Sequence, residues 1–240
     1  MDGPVAIVTG AGSGIGRACA IALARHGYRL VLVGRRRGPL DETAGLLPRG
    51  SQAVCVAADV ADRAATGTIL SATEARFGAL HVLVNNAGLA PMTAIDRHTP
   101  ELLDEIYQVN ALGPARLIAA AWAWFVRQRE RDPSWRGCVV NVSSIATVDP
   151  LPGFFGYAAA KAAVNLMAQS CASEGASIGV RAFSVAPGAV ETAMLRSILP
   201  ESVVPRSRTL APEDVAQVVV SCVAGERDAE NGRTIVLPNP

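Results

Sequence analysis

The stretch TGAGSGIG, residues 9–16, follows the apolar run VAIV at residues 5–8 and opens an alanine-rich segment with helical spacing. Glycines at such a strand-to-helix turn let the backbone approach a pyrophosphate closely, and the helix N-terminus offers free N–H groups and partial positive charge. The spacing differs from G-x-G-x-x-G, since Ile15 stands where the third glycine would be, and from a Walker loop, since no Lys precedes a Ser or Thr after Gly14. We interpret the stretch as a phosphate-binding loop with its own spacing. The alternative is a flexible glycine-rich turn.

Short β-branched runs alternate with alanine-rich helical stretches along the rest of the chain. The runs lie at residues 4–9, 29–33, 53–57, 81–84, 138–142, 179–185 and 234–237. Near-continuous apolar strands joined by helices indicate a parallel sheet that is covered on both faces. We therefore predict an α/β fold with a central parallel sheet of about seven strands, whose ligand lies beyond the carboxyl ends of the strands.

The composition favours one domain spanning residues 1–240. Half of the residues are hydrophobic and 18% are charged, which suffices for a large core, and no linker-like stretch divides the chain. The 22 basic and 21 acidic residues leave a net charge of +1, so neither a nucleic-acid partner nor a membrane-surface partner is expected. The longest helical candidate, around residues 111–126, contains Arg116 and falls short of the roughly 20 apolar residues of a membrane span.

The cysteines and the N-terminal residues bear on the compartment. Neither a CxxC pair nor histidine clustering accompanies the five cysteines, so we expect no metal site and no disulfide framework. They fit small core residues in a reducing compartment, and they are Cys19, Cys55, Cys138, Cys171 and Cys222. Because the N-terminal residues lack a basic region and a long apolar region, we expect no secretory signal and a cytoplasmic location.

Further motifs follow the glycine loop in chain order. They are Asp59-Val60, Asn85-Asn86-Ala87-Gly88, Asn110, Asn141-Val142-Ser143-Ser144, Tyr157-x-x-x-Lys161 and Pro187-Gly188-x-Val190-x-Thr192. Together with Thr-Gly-x-x-x-Gly-x-Gly they resemble the short-chain dehydrogenase/reductase family over nearly the whole chain. The resemblance implies a single Rossmann-type, doubly wound domain and an NAD(P)-dependent oxidoreductase acting on CH–OH or C=O groups. It also implies a homo-oligomer, either a tetramer or a dimer.

Tyr157 and Lys161 stand four residues apart, so they share one face of a helix. An ammonium beside a phenol favours the phenolate, which is expected to lower the pKa of Tyr157 from about 10. Tyr157 could then exchange a proton with a substrate oxygen near neutral pH. The resemblance gives Lys161 a second role, which is to hold the nicotinamide ribose hydroxyls. In isolation the pair would fit an ordinary amphipathic helix, but together with Ser144 we assign it to catalysis.

Ser143 and Ser144 compete for the third catalytic role, because neighbours at a strand end point to opposite faces. Family members carry this serine about 13 residues before the tyrosine, which selects Ser144 here, and Ser143 is interpreted as structural. The resemblance adds Asn110 as the fourth catalytic residue, which would open its helix locally and hold a water that relays protons toward Lys161. An ordinary helical asparagine is the alternative.

The end of the second predicted strand bears on the choice of cofactor. NAD-preferring relatives carry Asp where Gly34 stands, and that carboxylate accepts both ribose hydroxyls and repels a 2′-phosphate. A guanidinium at Arg35 can instead bind a phosphate bidentately, so we predict NADP as the cofactor, with NAD as the alternative. Arg36 is included in this site, although Arg36 and Arg37 also fit a solvated basic loop. Ser13 argues for NAD, since some NADP-binding relatives have Arg or Lys there.

The resemblance distributes the remaining cofactor contacts over several segments. Asp59 and Val60 would lie at the adenine, residues 86–88 along the adenosine ribose and residues 187–192 at the nicotinamide, with Ile15 near the pyrophosphate. The predicted cofactor-binding residues are Gly10, Gly12, Ser13, Gly14, Ile15, Gly16, Arg35, Arg36, Asp59, Val60, Asn86, Ala87, Gly88, Tyr157, Lys161, Pro187, Gly188, Val190 and Thr192.

The substrate side is less defined by the sequence. The irregular stretch at residues 192–212 is a candidate lid. Apolar residues after Ser144 fit either a pocket wall or packing beneath that lid, namely Ala146, Val148, Leu151, Phe154 and Phe155.

Overall, the chain looks most like 3-oxoacyl-carrier-protein reductases. Arginines at positions 127, 129, 131 and 136 could meet an acidic carrier protein, although interleaved acidic residues favour a solvated helix end. Residues 236–240, VLPNP, depart from the Asp-Gly-Gly-like turn of many such reductases.

We therefore predict an oxidoreductase that transfers a hydride between NADP(H) and a small-molecule carbonyl or secondary alcohol, with Tyr157 as general acid/base. A 3-oxoacyl thioester is one candidate substrate. One alternative is an NAD-dependent secondary-alcohol dehydrogenase. Another, from a different class, is a non-catalytic dinucleotide-sensing or scaffold protein, and the intact set of Asn110, Ser144, Tyr157 and Lys161 argues against it.

Overall fold

A computed structural model describes residues 3–240, and within that range it contains a single sheet of seven parallel strands. The strands are β1 (Val5–Thr9), β2 (Arg29–Gly34), β3 (Ala53–Ala57), β4 (Val82–Asn85), β5 (Gly137–Val142), β6 (Val180–Pro187) and β7 (Thr234–Leu237). Their order across the sheet is β3-β2-β1-β4-β5-β6-β7, and every neighbouring pair is parallel. The predicted fold class is confirmed, and each strand lies within two residues of its expected run.

Helices cover both faces of this sheet. Over residues 3–240 the α-helices are α1 (Gly14–Arg25), α2 (Arg37–Gly45), α3 (Ala65–Phe77), α4 (Pro100–Tyr107), α5 (Gly113–Arg131), α6 (Phe155–Gly175), α7 (Ala193–Ile198) and α8 (Pro212–Ala224). Helices α1 and α8 pack on one face, and α3, α5 and α6 pack on the other. Strand side chains alternate between the two layers, with Val8 and Leu32 in the first and Ile7 and Val31 in the second. Because helices pack on both faces, the fold is doubly wound.

The direction of winding reverses between β1 and β4, which are neighbours in the centre of the sheet. Strands β2 and β3 extend the sheet to one side of β1, and β5 to β7 extend it to the other side of β4. At such a switch point the loops after the two central strands diverge and leave a crevice at the carboxyl ends. The glycine loop follows β1 and residues 86–88 follow β4, so both predicted cofactor motifs lie at this crevice.

Helices α4 and α5 form a nearly continuous helical stretch, Pro100–Arg131, with a π-helical turn at Gln108–Leu112. By length and composition alone this stretch is apolar enough to cross a membrane, which the sequence-based estimate did not anticipate. Half of its most apolar window is buried inside the protein, and Leu117, Ala121 and Phe125 pack into the core beneath the sheet. A core helix passes the same test, so the stretch is weak evidence for a membrane.

The five cysteines are free thiols. Four of them are buried, as expected of core residues, whereas Cys55 is half-buried on edge strand β3. Burial raises the pKa of Cys19 and Cys138 to about 12. Within residues 3–240, no group of three or more His, Cys, Asp or Glu side chains is arranged to hold a metal ion.

Candidate active site

The glycine loop after β1 is shaped by backbone conformations and close contacts that exclude side chains. Gly10 and Gly14 have φ angles of +66° and +51°, in the left-handed region that favours glycine. A Cβ at Gly12 would lie 2.9 Å from the Cβ of Pro39 in α2. Ser13 precedes α1 in an extended conformation and forms no side-chain cap, so the first amides of α1 are available to an anion. The loop therefore fits a pyrophosphate.

Gly16, one of the predicted cofactor contacts, lies behind the groove and is not on its wall. It is buried in the first turn of α1, where a Cβ would overlap the carbonyl oxygen of Gly10. Arg17, which the sequence did not single out, donates hydrogen bonds to the carbonyl oxygen of Gly12 (2.6 Å) and to Thr43 Oγ1 (3.1 Å). Close packing at Gly16 and these bonds from Arg17 fix the loop from behind.

Thr9 joins the glycine loop to the loop after β4. Its Oγ1 accepts hydrogen bonds from the N–H groups of Asn86 (2.9 Å) and Ala87 (3.0 Å). The Asn86 side chain donates in return to the carbonyl oxygen of Thr9 (2.8 Å). Asn86, Ala87 and Gly88 all line the groove, and the bonds to Thr9 hold two of them at a fixed distance from the glycine loop.

The end of β2 and the turn after β3 form the far part of the groove. Gly34, Arg35, Arg36, Asp59 and Val60 all line it. Both arginines are exposed and have no ion-pair partner in the part of the chain that the structure describes. Asp59 Oδ1 accepts a hydrogen bond from the backbone amide of Ala61 in the same turn (3.0 Å). Two guanidinium groups without an ion-pair partner among residues 3–240 therefore lie on this part of the groove wall.

Arg37 differs from its two neighbours. Its guanidinium forms an ion pair with Asp41 one helical turn later (2.8 Å), and it does not line the groove. This pairing fits the solvated basic loop that was the other interpretation of Arg37.

The two serines after β5 point to different places. Ser143 is buried, and its Oγ donates to the carbonyl oxygen of Lys161 in α6 (3.3 Å). Ser144 is half-buried on the groove wall, its Oγ accepts the amide of Ala146 (3.1 Å), and it is close enough to the Tyr157 phenol to lower the pKa of that group. The side chain that meets the tyrosine is therefore that of Ser144.

Lys161 is the sole lysine in the sequence, and the other 21 of the 22 basic residues are arginines. It is buried in α6, and its Nζ donates to the carbonyl oxygen of Val142 at 2.7 Å. Burial lowers the pKa of the ammonium to about 8. An arginine would keep its full charge when buried, so lysine is the basic residue whose charge this site can tune.

The expected lowering of the Tyr157 pKa is not observed. Burial raises the pKa of the phenol above its ordinary value of about 10, and the hydrogen bond with Ser144 lowers it by a smaller amount. The ammonium of Lys161 is bonded to the Val142 carbonyl, and it is not among the causes that shift the phenol. Tyr157 therefore holds its proton at neutral pH in this structure.

Asn110 lies in the π-helical turn, where the helix is locally widened as the resemblance implied. It is fully buried behind the groove wall, with its Nδ2 donating to the carbonyl oxygen of Leu89 (2.9 Å) and its Oδ1 accepting the Leu89 amide (3.2 Å). Gly88 separates it from Lys161, since a Cβ there would lie 2.9 Å from Asn110 Oδ1 and 3.4 Å from Lys161 Nζ. Asn110 thus holds the backbone next to Lys161.

The loop after β6 forms the wall opposite the glycine loop. Pro187, Gly188, Val190 and Thr192 line the groove. Thr192 caps α7 by accepting the amide at position 195 (3.2 Å), and a Cβ at Gly14 would lie 3.0 Å from Thr192 Cγ2. The two loops therefore approach each other across the cofactor groove.

The groove and the space beyond Ser144 and Tyr157 form one cavity of about 610 Å³, and the part beyond these two residues has a mostly apolar wall. Among the candidates for that wall, Ala146, Leu151 and Phe154 line the cavity. Val148 does not, being 63% exposed, and Phe155 packs edge-on against His98 with ring centroids 5.6 Å apart. The candidate lid supplies Ala193, Met194, Leu195, Ile198 and Leu199 to the lining. The sequence did not single out the others, which are Leu89, Ala90, Val109, Ile145 and Asp149.

The candidate lid at residues 192–212 divides into two parts. Its first part, through Leu199, faces the cavity. The remainder returns to Leu210, which bridges Val190. Glu191 at the root of the lid forms an ion pair with Arg196, and the neighbouring Arg196 guanidinium lowers the pKa of that carboxyl. The lid is thus tied to the loop that carries the predicted nicotinamide contacts.

The arginines after Trp124 are engaged locally. Arg127 lies over the Trp124 ring, 6.0 Å from its centroid. Arg129 and Arg136 donate to the carbonyl oxygen of Trp135 at 3.1 Å and 2.9 Å. These contacts agree with the interpretation of this segment as a helix end, and none of these arginines lines the groove.

A groove lined by a glycine loop at the switch point of a doubly wound sheet, beside a serine, a tyrosine and a lysine, is the arrangement expected of a Rossmann-type oxidoreductase. A family model described as short chain dehydrogenase matches residues 4–202. The chain is 32% identical to a 3-oxoacyl-[acyl-carrier-protein] reductase of Thermotoga maritima, over 98% of this chain and 96% of the relative. It is 31% identical to an uncharacterized oxidoreductase of Staphylococcus aureus (strain MW2), over 90% of this chain and 89% of the relative.

Two solved structures are similar to this chain over nearly its whole length. The 3-ketoacyl-(acyl-carrier-protein) reductase from Brucella melitensis complexed with NADH gives a TM-score of 0.90 at 28% identity, covering 98% of this chain and 97% of that one. Levodione reductase gives a TM-score of 0.89 at 25% identity, covering 98% of this chain and 96% of that one. The chain belongs to the short-chain dehydrogenase/reductase family, and it is an NAD(P)-dependent oxidoreductase acting on CH–OH and C=O groups.

Proposed function

We propose that this chain interconverts a carbonyl and a secondary alcohol with Tyr157 as the general acid/base. The observation that carries the proposal is that Ser144, Tyr157 and Lys161 all line the groove beside loops that fit a dinucleotide. When bound, a nicotinamide dinucleotide supplies or accepts the hydride. The residues proposed to hold it are those of the glycine loop together with Arg35, Arg36, Asp59, Val60, Asn86, Ala87, Gly88, Tyr157, Lys161, Pro187, Gly188, Val190 and Thr192.

The polar side chains handle the proton at the substrate oxygen. Ser144 donates a hydrogen bond to that oxygen, and Tyr157 gives it a proton in reduction or removes one in oxidation. Burial keeps the phenol protonated at neutral pH, which is the form that gives the proton in reduction. Lys161 stabilises the phenolate that remains and holds the nicotinamide ribose, while Asn110 keeps a water in position for proton transfer toward Lys161.

NADP(H) is the cofactor that we propose. Gly34 places no carboxylate at the adenosine ribose, and Arg35 and Arg36 are exposed, unpaired within residues 3–240 and on the groove wall. A 2′-phosphate would give both guanidinium groups a partner. The Brucella melitensis reductase was solved with NADH, and Ser13 offers no positive charge, so NAD is the alternative.

For the substrate we propose a ketone with an apolar body, and a 3-oxoacyl thioester is the reference compound. Support comes from the apolar cavity wall, including Leu151, Phe154 and the lid residues Met194 and Ile198, and from the similarity to the Thermotoga maritima reductase. A secondary-alcohol dehydrogenase using NAD is the second candidate, and it differs in preferring NADH and the alcohol.

We also propose that residues 1–240 form one domain and that the protein self-associates through α5 and α6. Leu112, which ends the π-helical turn just before α5, and Leu166 in α6 are 41% and 63% exposed. Between them lie exposed alanines that permit close helix packing, namely Ala119, Ala123 and Ala159. A second copy would cover this face in a homodimer, or in a tetramer built from two dimers. A cytoplasmic location stays a prediction.

The decisive experiment is Tyr157→Phe, which removes only the phenolic O–H. Turnover of a panel of ketones and 3-oxoacyl thioesters with NADPH should fall by about 10² to 10⁴. The dissociation constant of NADPH, measured by its fluorescence, should stay nearly unchanged. Tyr107→Phe is the matched control, because Tyr107 is partly exposed on α4 and does not line the groove.

Near-wild-type turnover by Tyr157→Phe would remove the proposed role of the tyrosine. If the unmodified protein binds NADPH or NADH but turns over no member of the panel, the dinucleotide-sensing or scaffold alternative is favoured instead.

A further inference from the structure

The segment after β7 turns back over the loop that follows β6. Asn239 in this segment makes two hydrogen bonds to the backbone of Ala189. Its Oδ1 accepts the Ala189 amide (3.0 Å), and its Nδ2 donates to the Ala189 carbonyl oxygen (2.8 Å). Beside them the Gly188 amide donates to the carbonyl oxygen of Leu237 (2.8 Å). One side chain therefore satisfies both backbone groups of a residue in the middle of the loop.

Gly188 gives this contact its steric requirement. A Cβ at position 188 would overlap Asn239 Oδ1. The asparagine can reach the Ala189 backbone only across a glycine, so Gly188 and Asn239 form a matched pair. The φ angle of Gly188 is not in the left-handed region, so close approach is what the structure requires of glycine here.

The other flank of Ala189 is held by the far end of the lid. The Leu210 amide donates to the same Ala189 carbonyl oxygen (2.9 Å), and the Glu191 amide donates to the Leu210 carbonyl oxygen (2.9 Å). Ala189 is thus fixed between the segment after β7 on one side and the returning lid on the other. Gly188, Ala189 and Val190 all line the groove, so a shift of Ala189 would move that wall and the root of the lid together.

We propose that Asn239 is a positioning residue: it holds the loop at residues 187–192 in the form that receives the nicotinamide end of the cofactor and anchors the lid. The assignment of this loop to the nicotinamide rests on the proposed function, whereas the bonds between Asn239 and Ala189 do not. Asn239 belongs to the VLPNP segment, residues 236–240, where this chain departs from the Asp-Gly-Gly-like turn of many similar reductases.

The test compares Asn239→Ala with Asn231→Ala. Asn231 makes a comparable bond between a side chain and a strand at the other end of β6, where its Oδ1 accepts the Ala182 amide (2.8 Å). Both variants lose a backbone-bonding asparagine, but Ala182 does not line the groove. The readouts are hydrogen–deuterium exchange of the cofactor-free protein and the dissociation constant of NADPH.

In Asn239→Ala, exchange of the Ala189 amide should rise about tenfold and the NADPH dissociation constant should rise about tenfold, since two hydrogen bonds are lost. The Michaelis constant for the cofactor should rise more than the turnover number falls. Asn239→Asp, which keeps the acceptor for the Ala189 amide and loses the donor, should show a smaller change in exchange. Asn231→Ala should leave residues 187–192 and NADPH affinity unchanged.

Exchange at residues 187–192 that is unchanged in Asn239→Ala, or equally raised in Asn231→Ala, overturns the proposal. Raised exchange with unchanged NADPH affinity also overturns it, because the bonds would then have no positioning effect. Failure of the proposed function would appear elsewhere, as unimpaired turnover by Tyr157→Phe, and would leave the exchange result for Asn239 interpretable.

Discussion

The two ends of the groove are built in different ways. The dinucleotide end is made of backbone, with left-handed glycines, uncapped amides of α1 and loops tied by Thr9. The substrate end is made mainly of apolar side chains from residues 145–154 and residues 194–199, with Leu89 and Ala90 from the loop after β4. A backbone-built site tolerates few substitutions, whereas a side-chain-built site can change its shape one residue at a time. The dinucleotide end, which binds the same cofactor whatever the substrate, is therefore rigid. The substrate end, which selects the substrate, can vary in shape.

The largest effect that would break this contrast is expected at Gly16. A Cβ there would overlap the Gly10 carbonyl oxygen, so Gly16→Ala must displace α1 from the loop. We expect NADPH affinity to fall by at least about 100-fold, which corresponds to about 2.8 kcal/mol. The measurements are an NADPH titration and urea unfolding.

Gly67→Ala is the control for this substitution. Gly67 lies exposed within α3, and a Cβ there would meet nothing within 4 Å. This variant should stabilise the protein by about 0.5–1 kcal/mol and leave NADPH affinity unchanged. Normal NADPH binding by Gly16→Ala would show that the loop is not as rigid as its contacts indicate.

The contrast also explains what could be predicted from the sequence. The strands and the glycine loop follow from local patterns, because apolar periodicity and glycine sterics act within a few residues. Which residues of the lid face the cavity, such as Met194 and Ile198, depends on how Glu191 and Leu210 hold the lid, and no short pattern encodes that. The predicted direction of the Tyr157 pKa shift was wrong for the same reason. Burial raises the pKa of the phenol, and burial depends on the whole folded chain.

At the phosphate-binding rim, Arg35→Ala should cost a charge-assisted bond worth about 1.5–3 kcal/mol. The kcat/KM with NADPH should then fall roughly 10- to 100-fold while that with NADH changes little. Arg37→Ala is the matched control. It removes the same charge two residues further along the chain, from a guanidinium that is already paired with Asp41. Equal losses with both cofactors, or in both variants, would make Arg35 a general surface contact and the NADP assignment wrong.

Gly34→Asp should sharpen the same result by favouring NADH over NADPH. A Cβ at Gly34 would lie 3.2 Å from Leu40 Cδ2, so part of any loss would come from crowding. Gly34→Ala has that crowding without the carboxylate and is therefore the control. A shift toward NADH in Gly34→Ala as large as in Gly34→Asp would show that sterics, not charge, sets the preference.

Lys161 should make activity and stability respond to pH in opposite directions. Its pKa is about 8 in the folded chain and 10.5 ordinarily, so the folded state binds fewer protons between these values. This group therefore makes the protein more stable as pH rises from about 8 to 10.5, and it imposes a constant cost below pH 8. Turnover should instead fall, about tenfold per pH unit, above about pH 8 as the ammonium is lost.

Lys161→Met tests both halves of this statement. It should raise the free energy of unfolding at pH 7 by on the order of 2 kcal/mol, since a buried charge is removed, and it should abolish turnover. As Lys161 is the sole lysine, NMR of lysine-labelled protein gives one side-chain resonance, and its titration reports this pKa directly. A midpoint near 10.5, or a less stable Lys161→Met variant, contradicts the prediction.

The smallest effect is expected at the substrate end, from Asp149. It is exposed and lines the cavity beside the apolar wall, whereas Arg196 of segment 194–199 is paired with Glu191 and does not line the cavity. A carboxylate there repels an anionic substrate, so a neutral 3-oxo ester should be preferred over the 3-oxo acid of the same chain length. Because water screens an exposed charge, Asp149→Asn should narrow that preference only about threefold, and the difference should shrink in about 1 M salt.

Asp104→Asn is the control for this substitution and should leave the preference unchanged, because Asp104 is an exposed carboxylate on α4 that does not line the cavity. Equal ratios in wild type and Asp149→Asn at low salt would mean that shape alone selects the substrate at this end of the groove.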